Sequence, residues 1–163
     1  MSQPEIDSRA LRNALGRFAT GVAIVTALDT EGKPMGLTVN SFSAVSLEPA
    51  LVLWCLDNSS HNLDAFRQAS HHVINILTED QMELSNRFAS LPTDRFAGIE
   101  WLAGAGGAPV FPECSAVFEV ANETHHASGD HTIFIGRVVR LQKNPEPAPL
   151  LFYAGQYRKL AGD

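Results

Sequence analysis

The sequence predicts a mainly β protein, a closed antiparallel barrel with a few flanking helices. Three observations carry this reading: six or seven short apolar or alternating runs, Gly or Pro at the corners between them, and few stretches with helical spacing. Strands that follow one another without a helix in each connection argue against a parallel sheet. No repeat, linker or charge block divides the 163 residues, so one domain over 1–163 is expected, with 1–7 as a loose N-terminal tail.

In chain order, "DSRALRNALGRFATG" places Leu11, Leu15 and Phe18 on one helical stripe, with Asp7 or Ser8 as N-cap and Gly21 beyond the end. "VAIVTALD", the turn residues "TEGKP" and the extended run "MGLTVNSFSAVSL" form a hairpin, interrupted by Glu48 and Pro49 before "ALVLWCLD". "SSHNLDAFRQA" spaces Leu63 and Phe66 as a helix would, with Ser59 or Ser60 as cap, and "HHVINIL" returns to strand character. Thr78 followed by Gln81 has the form of a capping box, so a helix begins in "TEDQMELSNRFAS". From Gly98 to Pro112 the chain reads as loop with one short strand around Trp101. "SAVFEVANETHHA" and "HTIFIGRVVRLQ" flank "SGD", a hairpin signal because Gly supplies the positive φ of a tight turn. "PLLFYAGQYRKL" closes the chain as a strand with a Gly break.

Composition removes several function classes. A formal net charge of -6 with scattered Lys and Arg argues against a nucleic-acid partner, since neutralising phosphates takes clustered cations. No stretch of 18 apolar residues and no leader pattern occurs, so a cytoplasmic protein without a membrane partner is expected. Cys55 and Cys114 match no ligand spacing and read as two reduced thiols.

Three polar clusters remain. In "GLTVNSFSAVSLEPALVLWCL", Thr38, Asn40, Ser41, Ser43 and Ser46 crowd a run that ought to bury itself. Two readings stand open: a wall for a flat ligand with polar edges, or the solvent face of a half-exposed strand. In "DNSSHN", Ser59, Ser60 and His61 stand where a helix starts, either as ordinary caps or as a phosphate seat. In "ETHHASGDHTIF", Glu123, His125, His126, Asp130 and His131 resemble metal ligands only by count, because adjacent strand residues face opposite ways. No metal is expected. The alternatives are polar residues at a hairpin end, or a site that His131 lines. No nucleophile elbow, phosphate-binding loop or Rossmann glycine pattern is present.

Five blocks in register, "FATGVAIVTA", "GLTVNSFSAVSLEPALVLWCL", "SSHNLDAF", "GDHTIFIGRV" and "PLLFYAGQYRKL", resemble the short-chain flavin reductases of the FMN-binding split-barrel class. The likeness runs from Leu11 to Leu160 and extends to reductase components of two-component flavin-dependent monooxygenases. It implies a Greek-key split barrel working as a homodimer, and an enzyme that passes hydride from NADH, with NADPH as the other donor, to FMN or FAD. Reduced flavin then diffuses to a separate oxygenase. By the same resemblance, Thr38, Val39, Asn40, Ser41 and Phe42 hold the isoalloxazine ring, and Ser46 and Leu47 continue that wall. Asp57, Ser59, Ser60 and His61 meet the ribityl and phosphate end, and Arg87 and Phe88 the rest of the flavin or its adenylate. Gly129 and Asp130 make the family's turn, His131 positions the nicotinamide, and Tyr153 and Tyr157 close the site. Ala50 departs from the pattern, standing where many relatives carry a second proline, and with no Lys or Arg beside Ser59 and Ser60, His61 or an arginine from elsewhere has to supply the charge near the phosphate. The rival from another class is a flavin carrier or redox sensor without reductase activity.

Overall fold

The computed structural model describes residues 5–90 and 93–162, so the first four residues of the expected loose tail lie outside it. Helix α1 (Ser8–Leu15) starts where Asp7 accepts a hydrogen bond from the Ala10 N–H at 2.8 Å. It ends at Gly16, five residues before the expected Gly21, because the Gly16 N–H already closes back on Arg12 and Ala14. The stripe that its spacing predicts stays exposed among the described residues: Leu11, Leu15 and Phe18 are 48%, 65% and 79% exposed. Strand β1 (Thr20–Gly21) follows.

A seven-stranded antiparallel sheet organises the rest. Its strands are β2 (Ala23–Leu28), β3 (Pro34–Val39), β4 (Ser43–Leu47), β5 (Ala50–Asp57), β6 (His71–Ile76), β9 (Ala116–Ser128) and β10 (His131–Lys143), in the order β3-β2-β6-β9-β10-β5-β4. Between β5 and β6 runs helix α2 (Leu63–Gln68); after β6 comes helix α3 (Met82–Ala89), and then the two-residue strands β7 (Leu102–Ala103) and β8 (Pro109–Val110). The terminal strands β11 (Leu151–Tyr153) and β12 (Gln156–Arg158) form a small sheet with β1.

This corrects the expectation of a closed barrel. The end strands β3 and β4 are not paired with each other, and the run 35–47 breaks at 40–42 instead of continuing as one strand. The loop 98–112 carries two short paired strands, not one, and both lie just past Trp101.

Both faces of the sheet's middle are covered. On β2, Ala23, Val25 and Ala27 enter one apolar cluster with Trp54, Phe66, Ile74 and Phe134. Val22 and Ile24 enter a second, with Val73, Leu77, Phe88 and Phe111. A strand buried on both sides reads as a continuous apolar run, which is what "VAIVTAL" shows. Gly129, at φ 63°, makes the turn that joins β9 to β10. Thr78 opens the turn before α3, its N–H donating to Gln81 Oε1 at 2.8 Å as the capping box predicts.

Two buried polar residues tie these layers together. Asn75, fully buried, donates from Nδ2 to Ile24 O at 3.1 Å and accepts from the Phe111 N–H at 2.9 Å. It thereby fastens the 98–112 segment onto β6. His72 accepts from the Trp54 indole N–H at Nδ1 (3.2 Å) and donates from Nε2 to Phe66 O (2.9 Å), which fixes a neutral ring. Burial pushes its pKa down to about 4. Among the described residues no helix is long and apolar enough to cross a membrane.

Two outcomes follow for stability. Asn75→Leu strands the Phe111 N–H and Ile24 carbonyl in the interior and lowers unfolding free energy by about 2–4 kcal/mol in urea titrations at neutral pH. For His72, the unfolded chain binds a proton near the ordinary 6.5 and the folded chain only near about 4. Stability from this ring is therefore complete above pH 6.5 and falls as pH drops toward 4, by about 2 kcal/mol at pH 5. His72→Gln removes that titrating ring, so the acid-side slope of the unfolding midpoint flattens between pH 6.5 and 4.

Candidate functional site

The open side of the sheet holds a cleft of about 650 Å³. One wall is the end strand β3 with its continuation, Leu37 to Ser41. The other walls are Cys55, Leu56, Asp57, Ser59 and Ser60 after β5, and Ser128, Asp130, His131 and Ile133 from the β9–β10 turn. Because β3 pairs only with β2, every second residue along its outer edge presents backbone N–H and C=O groups without a strand partner.

Local chemistry explains each wall. Ser41 Oγ accepts from the Cys55 N–H at 2.9 Å and donates to Cys55 O at 3.3 Å, extending the edge of β5 where β4 has ended. Thr38 Oγ1 donates to Ser85 O at 2.7 Å and holds β3 against α3. Opposite, fully buried Thr132 donates to Asn58 Oδ1 at 2.7 Å and accepts from Arg67 at 3.2 Å. Asn58 in turn donates from its backbone to Asp130 O at 2.9 Å and from Nδ2 to Gly129 O at 3.2 Å. The 57–60 turn and the 129–131 turn are thus held at a set separation.

The charged groups sit at the rim. Asp57 accepts from Ser59 through N–H (2.8 Å) and Oγ (2.7 Å), bonds that lower its pKa. Asp130 Oδ1 lies 2.7 Å from His131 Nδ1, which leaves Nε2 as the imidazole nitrogen with no partner among the described residues. Burial raises the Cys55 pKa, so the thiol stays protonated and offers no nucleophile. No group of three His, Cys, Asp or Glu able to hold a metal occurs among the described residues.

The cleft gathers Thr38, Val39, Asn40, Ser41, Asp57, Ser59, Ser60, Asp130 and His131, with Gly129 in the adjoining turn. Several expected residues stand elsewhere. Phe42 packs on Phe118 at 5.2 Å between centroids. Ser46 and Leu47 belong to β4, where Leu47 pairs with Ala50 and is 95% exposed. Arg87 is spent on the carbonyls of Asp94, Arg95 and Ala97, and Phe88 is fully buried beneath Phe96 and Phe111. Tyr153 lies under the Arg17 guanidinium at 5.0 Å, and Tyr157 OH bonds Ser85 Oγ at 2.7 Å. His61 lines a neighbouring cleft. Ser59 and Ser60 are not helix caps, because α2 begins after Asn62, and so the expected phosphate seat is a turn.

The structure adds Leu37, Cys55, Leu56, Ser128 and Ile133 to the walls. Cys55 and Ile133 are direct register partners, as are Asp57 and His131, so the alternation of one strand would have placed all four on one face once the pairing was known.

An open β cleft with an unpaired strand edge and a half-exposed histidine has the shape and the polar edge for a flat molecule with polar rims. The chain belongs to the family described as Flavin reductase like domain, which matches residues 15–161. It is 46% identical over 144 residues to "Probable flavin reductase" of Rhizobium meliloti (strain 1021), covering 88% of this chain and 46% of the relative, so it spans about half of that protein. It is 40% identical to the reductase subunit HsaB of a flavin-dependent monooxygenase from Rhodococcus jostii (strain RHA1), covering 97% of this chain and 80% of that one. The solved Streptomyces globisporus C-1027 NADH:FAD oxidoreductase SgcE6, in complex with NAD and FAD fragments, superposes with a TM-score of 0.90 at 33% identity, covering 99% of each chain.

Proposed function

We propose that the protein is an NADH-dependent flavin reductase that hands reduced FMN or FAD to a separate monooxygenase by diffusion. The observation that carries this reading is the cleft in which the unpaired edge of β3 faces His131 across an apolar floor of Leu37, Val39 and Ile133. Family membership supports it, as does the name of HsaB, a reductase subunit.

When bound, the flavin supplies the ring that accepts hydride from the reduced nicotinamide. The chain's own residues bind and orient. Edge N–H groups of β3 are fixed donors for negative charge on a bound ring, an effect of the oxyanion-hole kind. Asp130 holds His131 by Nδ1 and presents Nε2 to the nicotinamide side. Leu37, Val39 and Ile133 supply flat apolar contact and keep water from the space between two stacked rings. Asp57 and Asp130 at the rim disfavour an additional phosphate, which favours NADH over NADPH.

In this reading residues 1–163 form one domain with a Greek-key split barrel, the split lying between β3 and β4. The protein works in the cytoplasm as a homodimer; exposed Leu11, Leu15, Phe18 and Leu47 supply apolar surface for a second copy.

The test is anaerobic loss of NADH absorbance on mixing purified protein with NADH, with and without FMN or FAD. Flavin-dependent oxidation is expected; bound flavin without oxidation would make the protein a carrier or sensor. His131→Ala raises the KM for NADH about five- to tenfold while the flavin Kd changes by less than about twofold. An unchanged KM would remove His131 from the site.

A further inference from the structure

Asp57, Ser59 and Ser60 line the cleft, whereas Asn58, in the same turn, does not. Its side chain is directed instead at the turn that carries His131. The amide has a single orientation that satisfies both of its partners there: Oδ1 accepts from Thr132 Oγ1 at 2.7 Å, and Nδ2 donates to Gly129 O at 3.2 Å. The Asn58 backbone N–H donates to Asp130 O at 2.9 Å. One residue thus bonds Gly129, Asp130 and Thr132, which bracket His131.

The tie is rooted at one end and open at the other. Asp57 and His131 form the last register pair between β5 and β10, and beyond it strand pairing ends. Thr132, next in the chain, is fully buried and accepts from Arg67 Nη2 at 3.2 Å, while Arg67 Nη1 donates to Asp64 Oδ1 at 3.3 Å within α2. Asp57, Asn58 and Ser59 on one turn, and Ser128, Gly129 and Asp130 on the other, are exposed. Exposed turns held by few bonds open locally at low cost, since water replaces the partners they lose.

Resting on the flavin reading above, we propose that Asn58 is a positioning residue that couples the two ligand sites. Flavin seated against Ser59 and Ser60 holds the two turns docked, which fixes His131 for the nicotinamide, and a bound nicotinamide nucleotide returns the effect. Asn58 acts through the turns and touches neither ligand. Each turn has to be ordered to hold its ligand; where the two are tied, ordering by the first ligand lowers the cost of binding the second. By linkage, the factor by which NAD+ tightens flavin binding equals the factor by which flavin tightens NAD+ binding. Stacking of the two rings also gives mutual tightening, but a ring contact is indifferent to the Asn58 side chain, so substitution there separates the two sources.

The experiment is equilibrium binding to the full chain of whichever of FMN and FAD binds tighter, read by flavin fluorescence, alone and with saturating NAD+, a pair that binds without turnover. NAD+ tightens flavin binding about tenfold, and Asn58→Ala lowers that factor to about threefold or less, while the flavin Kd without NAD+ moves by less than about twofold. Thr132→Val, which removes the hydroxyl, lowers the factor likewise, and Thr132→Ser, which keeps it, restores it. Asn58 is exposed and its backbone bond to Asp130 does not depend on the side chain, so Asn58→Ala folds even if Thr132→Val does not. An unchanged factor in Asn58→Ala overturns the proposal and assigns the coupling to ring contact. Weaker flavin binding with the factor unchanged also overturns it, making Asn58 a structural part of the flavin turn alone, and so does the absence of any tightening by NAD+ in the unaltered chain. All three leave the reductase reading standing, because NADH oxidation by flavin needs no coupling. Failure to bind either flavin removes the reductase reading and the proposal together.

Discussion

The fold turns on one constraint: the two end strands of the seven-stranded sheet are neighbours in sequence. Only residues 40–42 separate β3 from β4, and three residues span roughly 10 Å at full extension. A seven-stranded sheet laid flat would hold its ends nearly 30 Å apart, at about 4.8 Å per strand. The sheet must therefore curl until its edges approach, which places Trp54, Phe66 and Phe134 inside the curl. Ser41, within the connecting three residues, bonds both backbone groups of Cys55 and so fastens the bridge to β5. The cleft lies where β3 and residues 40–41 run past the end of β5 and the β9–β10 turn. Its backbone donors exist because the ladder stops there.

The same constraint sorts the polar residues of the run "GLTVNSFSAVS". Thr38 and Ser41 spend their hydroxyls on the fold, one against α3 and one against β5, and Ser43 donates to Ala44 O. Asn40 alone among Thr38, Asn40, Ser41 and Ser43 is exposed without a side-chain bond among the described residues. The wall of the cleft is thus more backbone than side chain. Its opposite wall is positioned by the Arg67, Thr132 and Asn58 chain, in which Thr132 is fully buried and would be costly to leave unpartnered. Small side chains set the geometry of the cleft, which main-chain groups and His131 line.

What the sequence made legible was local. The β9–β10 hairpin followed from Gly129, the turn before α3 from Thr78 and Gln81, and the mainly β class from strand-like runs between Gly and Pro corners. Pairing between distant strands was not legible. "ALVLWCLD" is apolar at every position but the last, so it carries no period, and only its register with β10 shows Cys55 facing the cleft while Trp54 faces the core. The resemblance places Arg87 at the rest of the flavin or its adenylate, and residue type alone does not say which of its donors the fold already uses. Here the loop after α3 has carbonyls at Asp94, Arg95 and Ala97 that accept its donors. Helical spacing in α1 was real, yet spacing says nothing of what covers the stripe, and among the described residues Leu11, Leu15 and Phe18 stay exposed.

The openness of the cleft bears on how a flavin would be held. Asn40, Asp57, Ser59 and Asp130 are all exposed, so their polar groups bond water when no ligand is present. Exchanging those waters for a ligand gains only about 0.5–1.5 kcal/mol per hydrogen bond. Apolar contact with Leu37, Val39 and Ile133 adds to this, but half-buried Leu37 and Ile133 already hide part of their surface. The sum suits a molecule that arrives, is reduced and departs more than one retained through many turnovers, because retention needs a closed pocket whose buried donors have no alternative partner. A sheet that curls without closing supplies the binding edge and leaves it open to solvent, and both properties come from the same three-residue bridge.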